Sequence, residues 1–365
     1  MIELDKKIIF KNAFVSSYIK EMLRRVKPFT INFNGKKLDF NKDVLSYLLF
    51  DPFSLEYVYD EEVNRLFSDY YYCMSFLLHS RQYFDFLKSL CKIEGLGLKE
   101  RKKKLRDERE KIISTYLINI VNKPSWVGFN ILDTESDYFS YYDKLNCFFT
   151  GLNNEIRSGI NYSKIDGELR SKILRNINIR VCPYCNRQYT DYYYCDGSQK
   201  NIASLDHFYP QKKFPLYALT LLNFVPSCAN CNGMIKKDRL YPLRFIYVDD
   251  PTEKSYFKIV PLNIDGILGK INEFKLVISK ETMSDSLWSM FFRHGKIYLN
   301  HYDDISLWLK KKRLHNSGYK KHLSAVLGED ITEGELKMML FGTSGCAGDL
   351  ISKPLSKIKK DILGL

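Results

Sequence analysis

Over the first 175 residues, apolar positions recur every three or four residues, which predicts helices. In "YVYDEEVNRLFSDYYYCMSFLLHSRQYFDFLKSL" (57–90), Val63, Leu66, Phe67, Tyr70 and Tyr71 keep that spacing. The stretch predicts a packed amphipathic helix whose aromatic stripe belongs to the core. "GLG" at 95–97 interrupts it. "LKERKKKLRDEREKIISTYLINIVNKP" (98–124) then resumes as a charged helix that turns apolar and stops at Lys123–Pro124. Near residue 175 the pattern changes. "RQYTDYYYCDGSQKNIASLDH" (187–207) reads as a hairpin: an aromatic-rich strand ending near Cys195, an Asp196–Gly197 turn, and a second short strand running into Asp206–His207. "FYPQKKFPLYALTLL" follows as a loop with Pro210 and Pro215, and "NFVPSCANCNGMIKKDR" ends in a short helix. Beyond 250, "YFKIVPLN" and "NEFKLVISK" alternate as strands of a small sheet, and 281–365 returns to helix. The expected fold is α+β: a small module at 176–250 between a mainly helical 1–175 and a sheet-plus-helix 251–365.

Hydrophobic content of 45% and aromatic content of 15% exclude a disordered chain. No stretch approaches the roughly 20 apolar residues of a membrane span. The opening "MIELDKKIIFKNAF" reads as neither signal nor transit peptide, so a cytoplasmic location is expected. Fifty-six Lys+Arg against 43 Asp+Glu give a net charge of +13, which favours a polyanionic partner. Two basic runs draw notice. Residues 99–111 carry eight Lys/Arg and four Asp/Glu, a solvated face or one wall of a phosphate groove. "KKKRLHNSGYKKH" (310–322) has less acid to balance it and interleaves His315, Tyr319 and His322, which suits a nucleic-acid contact better. His294, His301, His315 and His322 show no partner pattern and are assigned no role.

Nine cysteines are an odd number, and four of them form two C-x-x-C pairs, Cys182/Cys185 and Cys228/Cys231. Two intervening residues let a tight turn aim both thiolates at one ion, and a second pair completes a tetrahedral S4 site. With no open position, such a zinc is structural. The two pairs stand 42 residues apart, so a sizeable insertion separates them. Cys73, Cys91, Cys147, Cys195 and Cys346 are scattered and are expected to be mostly buried free thiols, as in a reducing cytosol.

The order C-x-x-C, D-H, N, C-x-x-C-N-x-x-x-K resembles the zinc-stapled HNH endonucleases of the ββα-metal superfamily. The matching residues are Asp206–His207, Asn223 and Asn232, with intervals of 16 and 9 residues from His207 to Asn223 to Asn232. The resemblance covers about residues 180–240. It implies that His207 is the general base of phosphodiester hydrolysis and that Asn223 holds its ring through the facing backbone. Asp206 and Asn232 would then hold one Mg2+ or Mn2+, which stabilises the phosphate and the leaving oxygen. Lys236, Lys237 and Arg239 would hold neighbouring phosphates. HNH proteins with long helical flanks are similar to nuclease components of prokaryotic anti-phage systems, such as Septu-type partners of an ATPase. That resemblance favours DNA, cut in one strand or both; RNA stays open.

The competing expectation is a non-catalytic zinc-stapled module that binds nucleic acid or protein. It explains the cysteines and the charge equally well, but gives no reason for Asp206–His207 and Asn232 at these intervals. No Walker motif occurs, so any nucleotide-driven step would need a partner.

Overall fold

A computed structural model of the chain describes residues 2–33, 35–53, 61–120, 134–239, 241–249, 251, 254–279 and 282–365. The expected helix stop at Lys123–Pro124 lies outside the described residues.

The first part of the chain is helical, with two short strand pairings. β1 (Leu4–Asp5) leads into α1 (Lys6–Ile9) and α2 (Asn12–Arg25), and the antiparallel hairpin β2 (Phe29–Phe33)–β3 (Lys36–Phe40) into α3 (Lys42–Phe50). The aromatic stretch 57–90 contains two helices rather than one, α4 (Glu61–Leu77) and α5 (Arg81–Ile93). They part at His79, whose Nδ1 lies 2.7 Å from the Ser75 carbonyl oxygen, and Ser80 takes the N-cap position of α5. Val63, Leu66, Phe67 and Tyr70 are buried, as their spacing requires. The charged α6 (Leu98–Thr115) turns Leu105 and Ile112 inward and most of its lysines to solvent. α7 (Glu135–Gly159), opened by a Thr134/Asp137 capping box, and α8 (Gly167–Ile177), capped by Asp166, complete this part.

One hydrophobic cluster continues from these helices into the cysteine-bearing segment. It includes Cys182, Tyr184, Cys185, Leu205, Phe224, Val225, Cys228 and Cys231. The hairpin β4 (Tyr192–Cys195)–β5 (Ser198–Asn201) turns on Asp196 (φ 50) and Gly197 (φ 72). Both central residues have positive φ, the geometry that Asp-Gly favours in tight hairpins. The strand expected to run from this turn into Asp206–His207 is two strands. β5 stops at Asn201, and β6 (Ser204–His207) leaves the hairpin to pair antiparallel with β7 (Phe224–Ser227). All four residues of β7 are buried, whereas β4 is exposed from Tyr193 on, so apolar burial draws β6 to β7.

Past β8 (Tyr247–Val248), which pairs in parallel with β1, the hairpin β9 (Phe257–Pro261)–β10 (Phe274–Ile278) forms the small sheet expected there, with α9 (Ile264–Ile267) in its connection. A second hydrophobic cluster gathers Tyr256, Phe257, Tyr298, Trp308, Leu336 and Ile358. Its helices include α11 (His294–Ile297), α12 (Tyr302–Lys312), α13 (Ser317–Leu327), α14 (Glu333–Phe341) and α16 (Ser356–Leu363), whereas α10 (Met283–Phe291) and α15 (Ala347–Ser352) pack on the first cluster through Leu287, Trp288, Phe291, Leu350 and Ile351. No helix among the described residues is long and apolar enough to cross a membrane.

Candidate functional site

The ligand atoms of Cys182, Cys185, Cys228 and Cys231 all lie within 4.8 Å of one another, and all four residues are buried. The Sγ atoms of Cys185 and Cys228 are 4.0 Å apart. Tetrahedral S4 coordination with Zn–S near 2.3 Å needs sulfurs about 3.8 Å apart, whereas a disulfide needs about 2.05 Å. The donor set fits a metal ion such as zinc. Four thiols this close cannot all ionise without a cation between them, because like charges at such distances repel strongly in a dry interior.

The first cysteine turn is fastened from outside. Tyr298 donates its hydroxyl to the Cys185 carbonyl oxygen at 2.5 Å, and His294 Nε2 lies 2.8 Å from that of Tyr184. Asn186 adopts φ 49; its Oδ1 accepts from the Lys357 N–H at 2.8 Å and its Nδ2 donates to the Leu350 carbonyl at 3.0 Å. His294, Tyr298, Leu350 and Lys357 therefore form an outer shell around Cys182–Asn186. Three of the five other cysteines depart from expectation. Cys73 and Cys91 are buried, but Cys147, Cys195 and Cys346 are exposed, on the solvent side of α7, beside the β4–β5 turn and at the start of α15.

Strand alternation sends Asp206 and His207 to opposite faces of β6. Asp206 is 4% exposed. Its Oδ2 accepts a 2.6 Å hydrogen bond from the Tyr184 hydroxyl, and Lys236 Nζ lies 3.1 Å from each carboxylate oxygen. Burial raises the Asp206 carboxyl above the usual range, against the opposing pull of the Lys236 ammonium and the Tyr184 hydroxyl. Lys236 also donates to the His207 carbonyl at 2.6 Å. Two expectations change here. Lys236 is 3% exposed and is an internal ion-pair partner, not a phosphate contact. Asp206 is already engaged on both oxygens, so the Asp206–Asn232 pair does not present a ready Mg2+ or Mn2+ site. Among the described residues the cysteine quartet is the sole cluster of three or more His, Cys, Asp or Glu able to hold a metal.

His207 lies in an aromatic enclosure. The rings of Tyr162 and Phe224 approach it edge-on, at centroid distances of 4.7 and 5.1 Å. Its Nε2 is 2.9 Å from the Ala218 carbonyl oxygen. A carbonyl only accepts, so Nε2 carries the hydrogen and Nδ1 of the neutral ring keeps its lone pair. Burial is the main reason the ring's pKa falls to about 4, which leaves the imidazole neutral near pH 7. Among the described residues Asn223 forms no side-chain hydrogen bond with this ring. Its Oδ1 accepts from the Tyr209 N–H (2.8 Å), and its Nδ2 donates to the carbonyls of Tyr209 (3.0 Å) and Tyr217 (2.9 Å). Those bonds close the loop after β6 and set the backbone beside Ala218, so Asn223 acts on His207 through the loop.

Residues Asn230–Lys236 form a π-helical turn directly after β7, and the Lys237 N–H bonds the Asn232 carbonyl at 2.7 Å. In this wide turn Lys236 faces inward and Lys237 faces solvent. Asn232 is half-buried, and its side chain forms no hydrogen bond with the described residues. Arg239 bonds back to the Ile235 carbonyl, and its guanidinium stands 5.7 Å from the Phe291 ring centroid, so it packs against α10. Sequence reasoning passed over Tyr184 and Tyr162. Tyr184 sits inside the first C-x-x-C, where an aromatic was the available signal; nothing local marked Tyr162. No protein-family model, curated protein or solved structure matches this chain.

Proposed function

We propose that this chain is an HNH-type endonuclease that hydrolyses phosphodiester bonds in DNA, with His207 as general base. The observation that carries the reading is the His207 ring itself: neutral, with Nε2–H held by the Ala218 carbonyl and Nδ1 left with a lone pair. An imidazole fixed in one tautomer can take a proton from water without first losing one of its own. The succession of β6, the Asn223-closed loop, β7 and a helical turn beginning in the second cysteine pair supports the same reading. Lys237, exposed on that turn, is the candidate phosphate contact in this segment.

HNH chemistry as the resemblance implies it adds a Mg2+ or Mn2+ ion. Asp206 offers no free oxygen to one in this arrangement, so no step is assigned to it. The test is plasmid cleavage by the full chain with Mg2+, Mn2+ or EDTA, comparing the parent with His207→Ala at equal zinc content. The reading expects cleavage by the parent and a loss of at least about a hundredfold in the variant. Full activity in His207→Ala would sink the assignment of the base. We also propose, on the Septu-type resemblance, that an ATPase partner governs the activity in an anti-phage setting; finding an ATPase gene next to this one, and cleavage that appears only on adding its product, tests that.

One observation favours the alternative, a non-catalytic zinc-stapled binding module. The Lys236 ammonium is a resident cation on Asp206, and a carboxylate satisfied in this way is stable without any ligand. Nucleic-acid binding with no cleavage under any metal, with or without the partner, would favour that module.

A further inference from the structure

The hairpin β4–β5 is not used by the site described above, yet it is built in an unusual way. Tyr189, Tyr193 and Tyr194 are 56%, 54% and 63% exposed. Tyr193 and Tyr194 are adjacent in β4 and so present a phenol ring on each face of the hairpin. Edge hairpins commonly carry charge or proline to discourage sticking, and bare tyrosines do the reverse. The rings are held on a defined frame. Four residue pairs register between the strands, the Ile202 N–H bonds the Asp191 carbonyl, and the Asn201 amide donates to Ser171 Oγ on α8 at 2.8 Å. Tyr192 supports Tyr194 edge-on at 5.9 Å.

Cations stand on this hairpin and on the two segments bonded to its ends, Arg180 and α8. Lys200 stands directly opposite Tyr193 in the register and is exposed. Arg180, whose carbonyl receives the Thr190 N–H, and Arg175 on α8 are also exposed. None of the three has an ion-pair partner among the described residues. The hairpin segment's own acids are Asp191, whose Oδ1 accepts from the Tyr192 N–H, and Asp196 at the turn, and α8 carries Glu168 in its first turn. Helix α8 joins this surface to His207. Arg170, near the start of α8, places its guanidinium 5.6 Å from the Tyr162 ring, which lies against His207, and Ser171 beside it ties down β5.

Resting on the nucleic-acid reading above, we propose that the β4–β5 hairpin binds an unpaired stretch of the nucleic acid. Bases stack on Tyr193 and Tyr194, and phosphates are held by Lys200, Arg180 and Arg175. Exposed aromatic rings interleaved with unpaired cations fit single strands, because every base offers a π-face and no duplex pairing hides it. A duplex would meet only the cations.

The test measures fluorescence anisotropy of labelled oligo-dT and of a duplex of equal length, titrated with the full chain in a His207→Ala background to prevent cleavage. Tyr193→Ser/Tyr194→Ser is expected to weaken oligo-dT binding at least about tenfold, while duplex binding shifts less than about twofold. Tyr193→Phe/Tyr194→Phe is expected to keep the affinity of its parent, since stacking needs the ring and not the hydroxyl. Unchanged oligo-dT binding in the serine variant, equal losses on both ligands, or a matching loss in the phenylalanine variant would overturn the proposal. A background protein that binds no oligo-dT would do the same. Zinc content and melting temperature identify any variant that is misfolded. The binding result is independent of plasmid cleavage, so the hairpin and the catalytic assignment fail separately.

Discussion

The cysteine quartet and the Asp206–His207 strand end are neighbours, both buried and both built from distant stretches of chain. They differ in how their donors are satisfied. The four sulfurs converge on one point with no protein cation among them. Asp206 meets a protein cation, Lys236, and His207 meets a carbonyl and two aromatic edges. The first arrangement calls for an ion from outside; in the second the Asp206 carboxylate already has its cation from within, and His207 keeps only the Nδ1 lone pair unused. Burial alone therefore does not mark a metal site. What marks one is a set of like donors with nothing of opposite charge between them.

Removing the ion should break this contrast with the largest effect. Chelation by a strong zinc ligand, or Cys228→Ser, is expected to lower sharply the melting temperature of the core that the cysteine segment shares with the N-terminal helices, and to open residues 180–240 to protease. Structural zinc sites supply on the order of 10 kcal/mol or more, comparable to the whole stability of a domain. Zinc content measured beside circular dichroism checks this, and an unchanged melt in zinc-free protein would refute the structural role.

Next in size is the ion pair. Lys236→Met leaves the Asp206 carboxylate buried without its cation and should cost about 3–5 kcal/mol. Adding Asp206→Asn should recover most of that loss, because the uncompensated charge is then gone. Urea denaturation of the two single variants and the double variant gives the coupling. If the losses simply add, the two residues do not act as a pair.

Acid should give the smallest of the three effects per group. His79, His207 and His294 are all buried, and burial lowers them to about 4, about 4 and about 3. Unfolded histidine titrates near about 6.5, so below that value the unfolded chain takes up protons that the folded chain refuses. Their contribution is intact above about pH 6.5 and declines as pH falls towards 4. The loss is about 1.4 kcal/mol per histidine for each unit below 6.5. Stability measured from pH 7 to 4.5, with and without His79→Phe, checks the sign; the variant should lose less on acidification.

The sequence made the quartet legible because C-x-x-C is a local device. Two residues between thiols fix their geometry whatever the remainder of the fold does, and Cys182–Cys185 and Cys228–Cys231 meet as the spacing requires. Asp196–Gly197 was legible for the same reason, since its turn is set by two residues. The destination of β6 was not. Leaving the hairpin for β7 depends on which partner strand is buried, a tertiary property that no short window contains. Lys236 shows the same limit from the opposite side. A run of Lys-Lys-Asp-Arg looks solvated, and only the π-helical turn and the nearby Asp206 show that its first member points inward. The break between α4 and α5 hangs on His79, whose ring bonds the preceding turn, and aromatic periodicity runs straight through it.

The outer shell around Cys182–Asn186 bears on how this protein is made. Cys231, the last quartet ligand, precedes Lys357, which bonds Asn186, by 357 − 231 = 126 residues. At a ribosomal rate of about 5–20 residues per second, that distance takes roughly 6–25 s to translate. During this interval the nascent chain can already capture its ion, while the backbone around the first cysteine turn still lacks His294, Tyr298 and Lys357. The backbone around the first cysteine turn is therefore completed only after synthesis has passed residue 357, long after all four sulfurs of the quartet have been made.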